Sequence, residues 1–571
     1  MTPRADRFIL GFDPNHGEVL PKAVSSHSVS SEAEQEARSL AALGEAGAVP
    51  SAMVEGTDAV GVEQTPDHAV ANGPITDKRF TVAALLLIMV LASMEMTVTS
   101  TAMPTIIGEL QGLQHYSWVA SLYLLACTVT MPLYGRLADV LGRKKVILGA
   151  TLLFTGGSVA AAFSHSMTQL IVFRGIQGLG AGGIMPVVLT ILGDLFTLQQ
   201  RAKMQGMFSA VWGISSLAGP AFGAFLVKTL GWRWVFLVNL PFGLLGLAVL
   251  VWKYHDRQKP HSTDLDLPGI ALLSIASVSL LSLVSGMGPG GLSNETLVML
   301  AIATVVSTVL FVLQERRVAN PVLPPALLMR AEVGPNFLAM LFFGCCFLAL
   351  DTFVPLYVQG GRGGGADAAA FVVTPVMLTW ATCHIFIAPL IVRWGFRNVA
   401  IMGAIAILIG FGGLITGAFH EWPRWALTAI LAVTGFGFGA SSMAYLLGAQ
   451  DAVDYHQRGI VTSTVSFCRT IGGSMGVGAL GAAFNVLARG GLAKLEAMGV
   501  GSDVVMDPKK QAGLPESTID LIHATIADGL RWIFVVMFAV GVLQLIATLM
   551  MQRKAAPATV SKEDALEGAM G

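Results

Sequence analysis

GRLADVLGRKK, Gly135 to Lys145, is the stretch whose reading decides the fold. Long apolar runs flank it on both sides, so it reads as a short hairpin between two membrane-crossing helices. Gly135 has no side chain and lets the backbone of a neighbouring helix come close. Asp139 stands just before a tight turn at Gly142, where its carboxylate is placed to accept hydrogen bonds from the positive N-terminus of an adjacent helix. Arg143, Lys144 and Lys145 form a basic cluster of the kind retained on the cytoplasmic side of a membrane.

The whole chain agrees with a membrane reading. Of its 571 residues 54% are hydrophobic and 12% charged, with a net charge of −1; a soluble domain carries about a quarter charged residues. The net charge argues neither for nor against a charged partner, and no nucleic-acid partner is expected. The five cysteines, Cys127, Cys345, Cys346, Cys383 and Cys468, all lie inside apolar runs and read as small buried residues, not as disulfides or metal ligands. No phosphate, nucleotide or metal motif stands out. The expectation is therefore a non-enzyme with no catalytic residues, no cofactor and no metal site, for which active transport requires an ion gradient.

From Phe80 onward, apolar runs of bilayer-crossing length follow one another. Fourteen are expected, at 80–104, 118–137, 146–164, 168–192, 205–229, 234–252, 268–287, 296–314, 335–358, 369–391, 398–418, 425–448, 460–486 and 532–551. Arg136, Arg143, Lys144, Lys145, Arg201, Arg316, Arg317, Arg393, Arg397 and Arg458 crowd the loops on one side, whereas the short loops opposite hold few basic residues. Both termini are thus expected in the cytoplasm, in a cell (inner) membrane. Residues 1–77 are polar and read as a mostly disordered cytoplasmic tail, with a helix in SSEAEQEARSLAALGEAG as its one candidate element. The expected domains are a first six-helix bundle over 78–254, two inserted helices over 255–330, a second bundle over 331–551 with an outer loop at 487–531, and a cytoplasmic tail over 552–571.

The two halves repeat each other. The tenth run leads into PLIVRWGFRN, where Arg393, Gly395 and Arg397 echo the glycine and basic residues of the hairpin. Gly178, Gly180 and Gly182 precede Asp194 and Arg201; Gly435, Gly437 and Gly439 precede Asp451 and Arg458 at the same spacing. Repeats of this kind place a substrate at their interface, near the bilayer midplane, with access alternating by rocking.

Intramembrane charge marks the candidate site residues. Glu95, in ASMEMTVTSTAMP of the first run, is costly in a bilayer, and burial favours its taking up and releasing a proton. Arg174, in RGIQGLGAGG of the fourth, needs a counter-charge, and Gln177 shares its face. Both are assigned to proton coupling. Gly219, Pro220 and Gly223 form a close-packed bend in the fifth run. Asp351 in the ninth run occupies the position equivalent to Glu95, so the two acids are expected to be buried and to face one cavity from opposite bundles. Asp351, with Tyr123, Tyr357 and Gln359, is the candidate substrate or cation site. His384 and Arg469 are secondary candidates, the latter as a counter-charge to Asp351.

These stretches resemble the major facilitator superfamily, and within it the fourteen-helix drug:proton antiporters of the EmrB/QacA type. The hairpin looks like the superfamily signature between helices 2 and 3, which implies a conformational latch made by Gly135, Asp139, Gly142 and Arg143. The Glu95 stretch is similar to L-D-x-T-I-V-N-x-A-L-P: Thr97, Ala102 and Pro104 match, while Met94, Glu95 and Ser100 stand for Leu, Asp and Asn. RGIQGLGAGG resembles a proton-relay motif, SLAGPAFGA the antiporter motif with Ala224 for its last glycine, and WRWVFLVNLPFG (Trp232 to Gly243) the start of helix 6. The resemblance implies an all-α membrane fold, two six-helix bundles about a pseudo-twofold axis plus two inserted helices, acting as a proton-coupled exporter of small amphipathic compounds. A periplasmic adaptor protein is a candidate partner. Export of an endogenous lipid, siderophore or metabolite, and a non-transporting scaffold or sensor, stay open as alternatives. The topology makes a testable prediction: in intact cells a cysteine in 487–531 labels with an impermeant maleimide, and one in 1–77 does not. Labelling of the 1–77 site from outside overturns the assignment.

Overall fold

The computed structural model describes residues 8–12, 19–23, 76–110, 116–196, 198–256, 266–286, 292–318, 321–323, 325–454, 457–500 and 514–552. The chain divides into two compact units, Met1–Pro74 and Ile75–Gly571. In the first, the described residues are two strands: Phe8–Phe12 (β1) and Val19–Ala23 (β2) pair antiparallel, Phe8 opposite Ala23 and Phe12 opposite Val19. FILGF carries strand-favouring Phe8, Ile9 and Phe12, VLPKA only Val19, and two strands alone are only marginally stable. The helix expected in SSEAEQEARSLAALGEAG, and the tail expected after residue 552, lie outside the described residues.

The second unit is all helical. Its first half comprises α1 (Lys78–Leu110), α2 (Tyr116–Leu141), α3 (Arg143–Ala162), α4 (Met167–Leu195), α5 (Leu198–Thr229), α6 (Arg233–Leu237) and α7 (Asn239–Lys253). The inserted pair is α8 (Leu267–Gly286) and α9 (Asn294–Glu315). After the short α10 (Pro325–Leu328), the second half holds α11 (Gly334–Leu356), a π-helix at Tyr357–Gly361, α12 (Ala366–Phe419), α13 (Arg424–Asp451), α14 (Arg458–Ala497) and α15 (Glu516–Leu549). Among the described residues, 12 helices are long and apolar enough to cross a membrane. One of these, α12, reverses at Gly395 (φ 78°, ψ 164°) and contains two passes. The less apolar α5, which is not among the 12, packs on α1 over the expected fifth run.

Gly142 (φ 92°) opens α3 in the same left-handed conformation that Gly395 adopts, so both halves turn their second helix into the third with one glycine. In the first half α2 and α3 pack on α4, and α1 on α5 and α7; in the second, α11 packs on α14 and α12 on α13 and α15. The halves meet where α2 and α4 touch α14 and where α5 touches α12, and the inserted pair lies against α2 and α14.

Within the expected 487–531 loop, 487–497 and 516–531 are helix. The 40 residues of α14 span about 60 Å and the 34 of α15 about 51 Å, against a hydrocarbon core of about 30 Å, so both run on beyond the bilayer. The hydropathy of the run ends near residue 486, but its helical hydrogen bonding does not.

Small residues set the spacing. A methyl group on Gly344 would sit 2.0 Å from Arg469 O, and one on Gly472 2.0 Å from Leu341 O, so α11 and α14 touch backbone to backbone. Gly149, by contrast, has nothing within 4 Å of such a methyl. Gly344→Val is therefore expected to destabilise the fold by about 1–3 kcal/mol or more, lowering the thermal midpoint in detergent by several degrees. Gly149→Ala should leave it within about a degree. Equal midpoints for the two variants would contradict the packing described.

Candidate functional site

The hairpin brings its charges to the start of α14. Asp139, buried near the end of α2, accepts hydrogen bonds from Gly459 N at 3.1 Å and Ile460 N at 2.8 Å. The first amides of a helix lack carbonyl partners of their own and are usually satisfied by a capping side chain just ahead of them. Here the cap comes from the other half of the molecule. The close approach depends on two glycines: a methyl on Gly135 would meet Ser463 Oγ and lie 2.8 Å from Gly459 O, and one on Gly459 would lie 2.4 Å from Asp139 Oδ1.

Arg143, expected in the basic cluster and in the latch, turns inward. It is fully buried, with Nε 2.5 Å from Asp194 Oδ2 and Nη2 3.7 Å from Asp139 Oδ1. Asp194, at the end of α4, also faces Arg458 at 3.9 Å, and Arg458 Nη1 donates to Gly193 O at 3.5 Å. An arginine is buried here because two carboxylates and a helix end are buried with it. On its outer side, Lys144 N donates to Asp256 Oδ2 at 3.0 Å, which ties α3 to the segment after α7.

Glu95 and Arg174 meet in the core of the first half. Arg174 Nη1 pairs with Glu95 Oε1 and donates to Gln177 Oε1 at 2.7 Å; Nε donates to Val119 O at 3.4 Å. Thr99 Oγ1 donates to Glu95 Oε1 at 3.0 Å, and Asn239 Nδ2 donates to Glu95 Oε2 and to Ser158 Oγ, both at 2.8 Å. The guanidinium lies 4.2 Å above the Tyr123 ring, a favourable cation–π distance. Both charges are thus hydrogen-bonded, which offsets much of the cost of burying them. Glu95 and Asn239 also line a cavity of about 290 Å³ walled by Leu91, Met94, Phe222 and Phe242 between α1, α5 and the α6–α7 segment. Beside it, Gly219 and Gly223 let α5 approach α1: a methyl on Gly219 would meet Thr97 Oγ1, and one on Gly223 would lie 3.1 Å from Val98 O. The side chain of Pro220 lies outside the described residues.

The second half departs further from expectation. Asp351 and Glu95 each stand 17 residues past the first residue of their helix, but Asp351 is exposed, not buried. Gly344, Cys345 and Leu348 face α14, and Phe347 packs on Trp380 and Phe438; Asp351 falls on the stripe left unpacked between those two faces. Its expected ion pair with Arg469 is absent among the described residues; Arg469 is half-buried on α14, with its backbone against Gly344. Tyr123 and Tyr357 are sealed inside bundle cores, Tyr357 donating to Ala418 O at 3.4 Å, so neither ring is open to a substrate. Gln359 is half-buried in the π-helix after Pro355. His384 is buried near Trp380, where α12 meets Gly206 of α5, and its Nδ1 has no hydrogen-bond partner.

Sequence reading missed Asn239 as a partner of Glu95, Ser158 as the acceptor that holds Asn239, and Asp194 as the partner of Arg143. An asparagine in an otherwise apolar run, five residues past Trp234, was the available signal.

The comparisons agree with this fold. The Major Facilitator Superfamily profile matches residues 85–477, and the chain belongs to that superfamily of membrane transporters. It is 33% identical over 416 residues to the multidrug transporter protein MdtP of Bacillus subtilis, covering 72% of this chain and 76% of that one. It is 30% identical over 497 residues to the efflux pump dotC of Dothistroma septosporum, covering 83% and 84%. Among solved structures, the human organic anion transporter MFSD10 (TM-score 0.53, 14% identity, 82% and 100% coverage) and the proton:xylose symporter XylE (0.51, 14%, 84% and 96%) share the fold.

The cross-half cap generates a prediction. Charge-assisted hydrogen bonds contribute about 1.5–3 kcal/mol each, so Asp139→Ala should shift the balance of states tenfold or more away from contact between the halves, with the protein still folded. Cysteine at Ser463, which faces Gly135, reports this as a roughly tenfold faster maleimide reaction in the Asp139→Ala background. An unchanged rate would mean that the cap does not hold the halves together.

Proposed function

We propose that the protein is a proton-driven exporter of small amphipathic compounds of the fourteen-helix antiporter type, a multidrug efflux transporter of the cell membrane with both ends in the cytoplasm. The observation that carries this reading is Glu95: a carboxylate held by Arg174, Thr99 and Asn239 that also lines an apolar cavity. A group so placed exchanges its proton against whatever enters the cavity. The names of the relatives, multidrug transporter and efflux pump, support the direction of transport.

The charged contacts seen between the halves among the described residues, Asp139 to α14 and Asp194 to Arg458, lie on the hairpin side. On the opposite side, Arg233 pairs with Glu109 and Arg531 with Glu421 and Asp528, each within one half. In the proposed topology the hairpin is cytoplasmic, so this conformation is closed to the cytoplasm and opens outward. Asp139 and its partners act as the latch of that state. Asp351, exposed on α11, attracts cationic substrates without taking part in proton exchange.

Glu95→Gln should abolish proton-driven efflux of every substrate in everted vesicles, together with substrate-induced proton release from the solubilised protein. Asp351→Asn should weaken dications severalfold and spare neutral compounds. Normal proton release and efflux by Glu95→Gln would remove the coupling site from α1.

A further inference from the structure

The inserted pair carries an acidic cluster that the transport reading does not use. Asp266, the residue before α8, and Glu315, the last of α9, are 5% and 2% exposed. Asp266 Oδ1 accepts from Gly269 N at 3.0 Å, capping its own helix, and from Gln314 Nε2 at 2.9 Å. Glu315 turns onto the chain that follows, its oxygens accepting from Val322 N at 3.2 Å and Leu323 N at 3.0 Å. Asp266 Oδ2 has no hydrogen-bond partner. Both carboxyl groups converge on the space beside Gly269, where a methyl would lie 2.2 Å from Asp266 Oδ2 and 2.8 Å from Glu315 Oε1.

The surroundings limit what can occupy that space. From α2, Arg136 stands near enough for its charge to act on Glu315. From α14, the neighbours in the same apolar cluster as Val322 and Leu323 are Phe467 and Ile471, which carry no charge. Two ionised carboxylates crowded together out of water repel strongly, and one proton held between them relieves the repulsion. Carried on Glu315, that proton is a hydrogen to donate to Asp266 Oδ2, which gives the unpartnered oxygen its missing bond. Arg136 then faces one net negative charge instead of two.

We propose that Asp266 and Glu315 form a proton-binding site that fastens the inserted helix pair, and the 321–323 segment wrapped on it, beside the hairpin end of α2. The fastened form binds the proton, so it is favoured at low pH and lost as pH rises. The inference rests on the packing of the inserted pair and is independent of what the protein exports. It gives that pair a task of its own: setting, according to pH, how firmly the flank of the hairpin is braced.

Hydrogen–deuterium exchange of the full-length protein in lipid nanodiscs tests it, read on the peptide 316–327 that contains the Val322 and Leu323 amides. After correction for the intrinsic pH dependence of exchange, protection of this peptide should fall at least about tenfold between roughly pH 5.5 and 8.5. Asp266→Asn, whose amide offers Glu315 a permanent donor, should keep protection flat across that range. Glu315→Gln, which loses one of its two acceptors, should be less protected at both ends. Protection in the unmodified protein that does not change with pH would overturn the proposal, whatever the variants do. An Asp266→Asn variant that retained the full pH slope would overturn it equally.

Discussion

Two backbone amides at the start of α14 have no carbonyl of their own helix to bind, and the carboxylate that satisfies them belongs to the other half of the molecule. Much of the interface follows from that need. Gly135 and Gly459 are small so that the carboxylate can reach the amides. Arg143 is buried because Asp139 and Asp194 are buried, and Arg458 completes the set from α14. Each group would be expensive out of water alone; together they are tolerable.

The Glu95 cluster applies the same physics to a different end. Its donors, Arg174, Thr99 and Asn239, all come from the first half, so rigid rocking of one half on the other leaves them in place. The cap is a contact between the halves and the cluster a contact within one, so a movement of the halves that broke the first would spare the second. The proposed coupling of an ion to a conformational change would need both kinds, one to report which state the halves are in and one to hold the charge throughout.

The sequence made much of this visible because the relevant signals are local. Runs of apolar residues place the passes, and the paired glycines at Gly142 and Gly395 sit where both halves turn. Glu95 and Arg174 could be picked out because charge inside an apolar run is itself conspicuous. The rest depended on tertiary contacts. Nothing in WRWVFLVNLPFG says that Asn239 reaches Glu95, and nothing in the hairpin says that Arg143 turns inward. Asp351 was misjudged because α11 is apolar nearly all round, so periodicity cannot tell its packed stripes from its open one. The hairpin at 8–23 escaped notice because five-residue strands leave little trace in a polar stretch.

The length of α14 has a mechanical meaning. Its first turn is gripped by Asp139, and the same unbroken helix runs about 60 Å to Ala497. Its glycines do not leave it limp, because Gly472, Gly473 and Gly476 are pressed against α11. A tilt of about ten degrees at the gripped end would sweep the far end through about 10 Å, given that length. The helix has the dimensions of a lever as well as a wall: any small tilt at its gripped end would be amplified into a large excursion at the other.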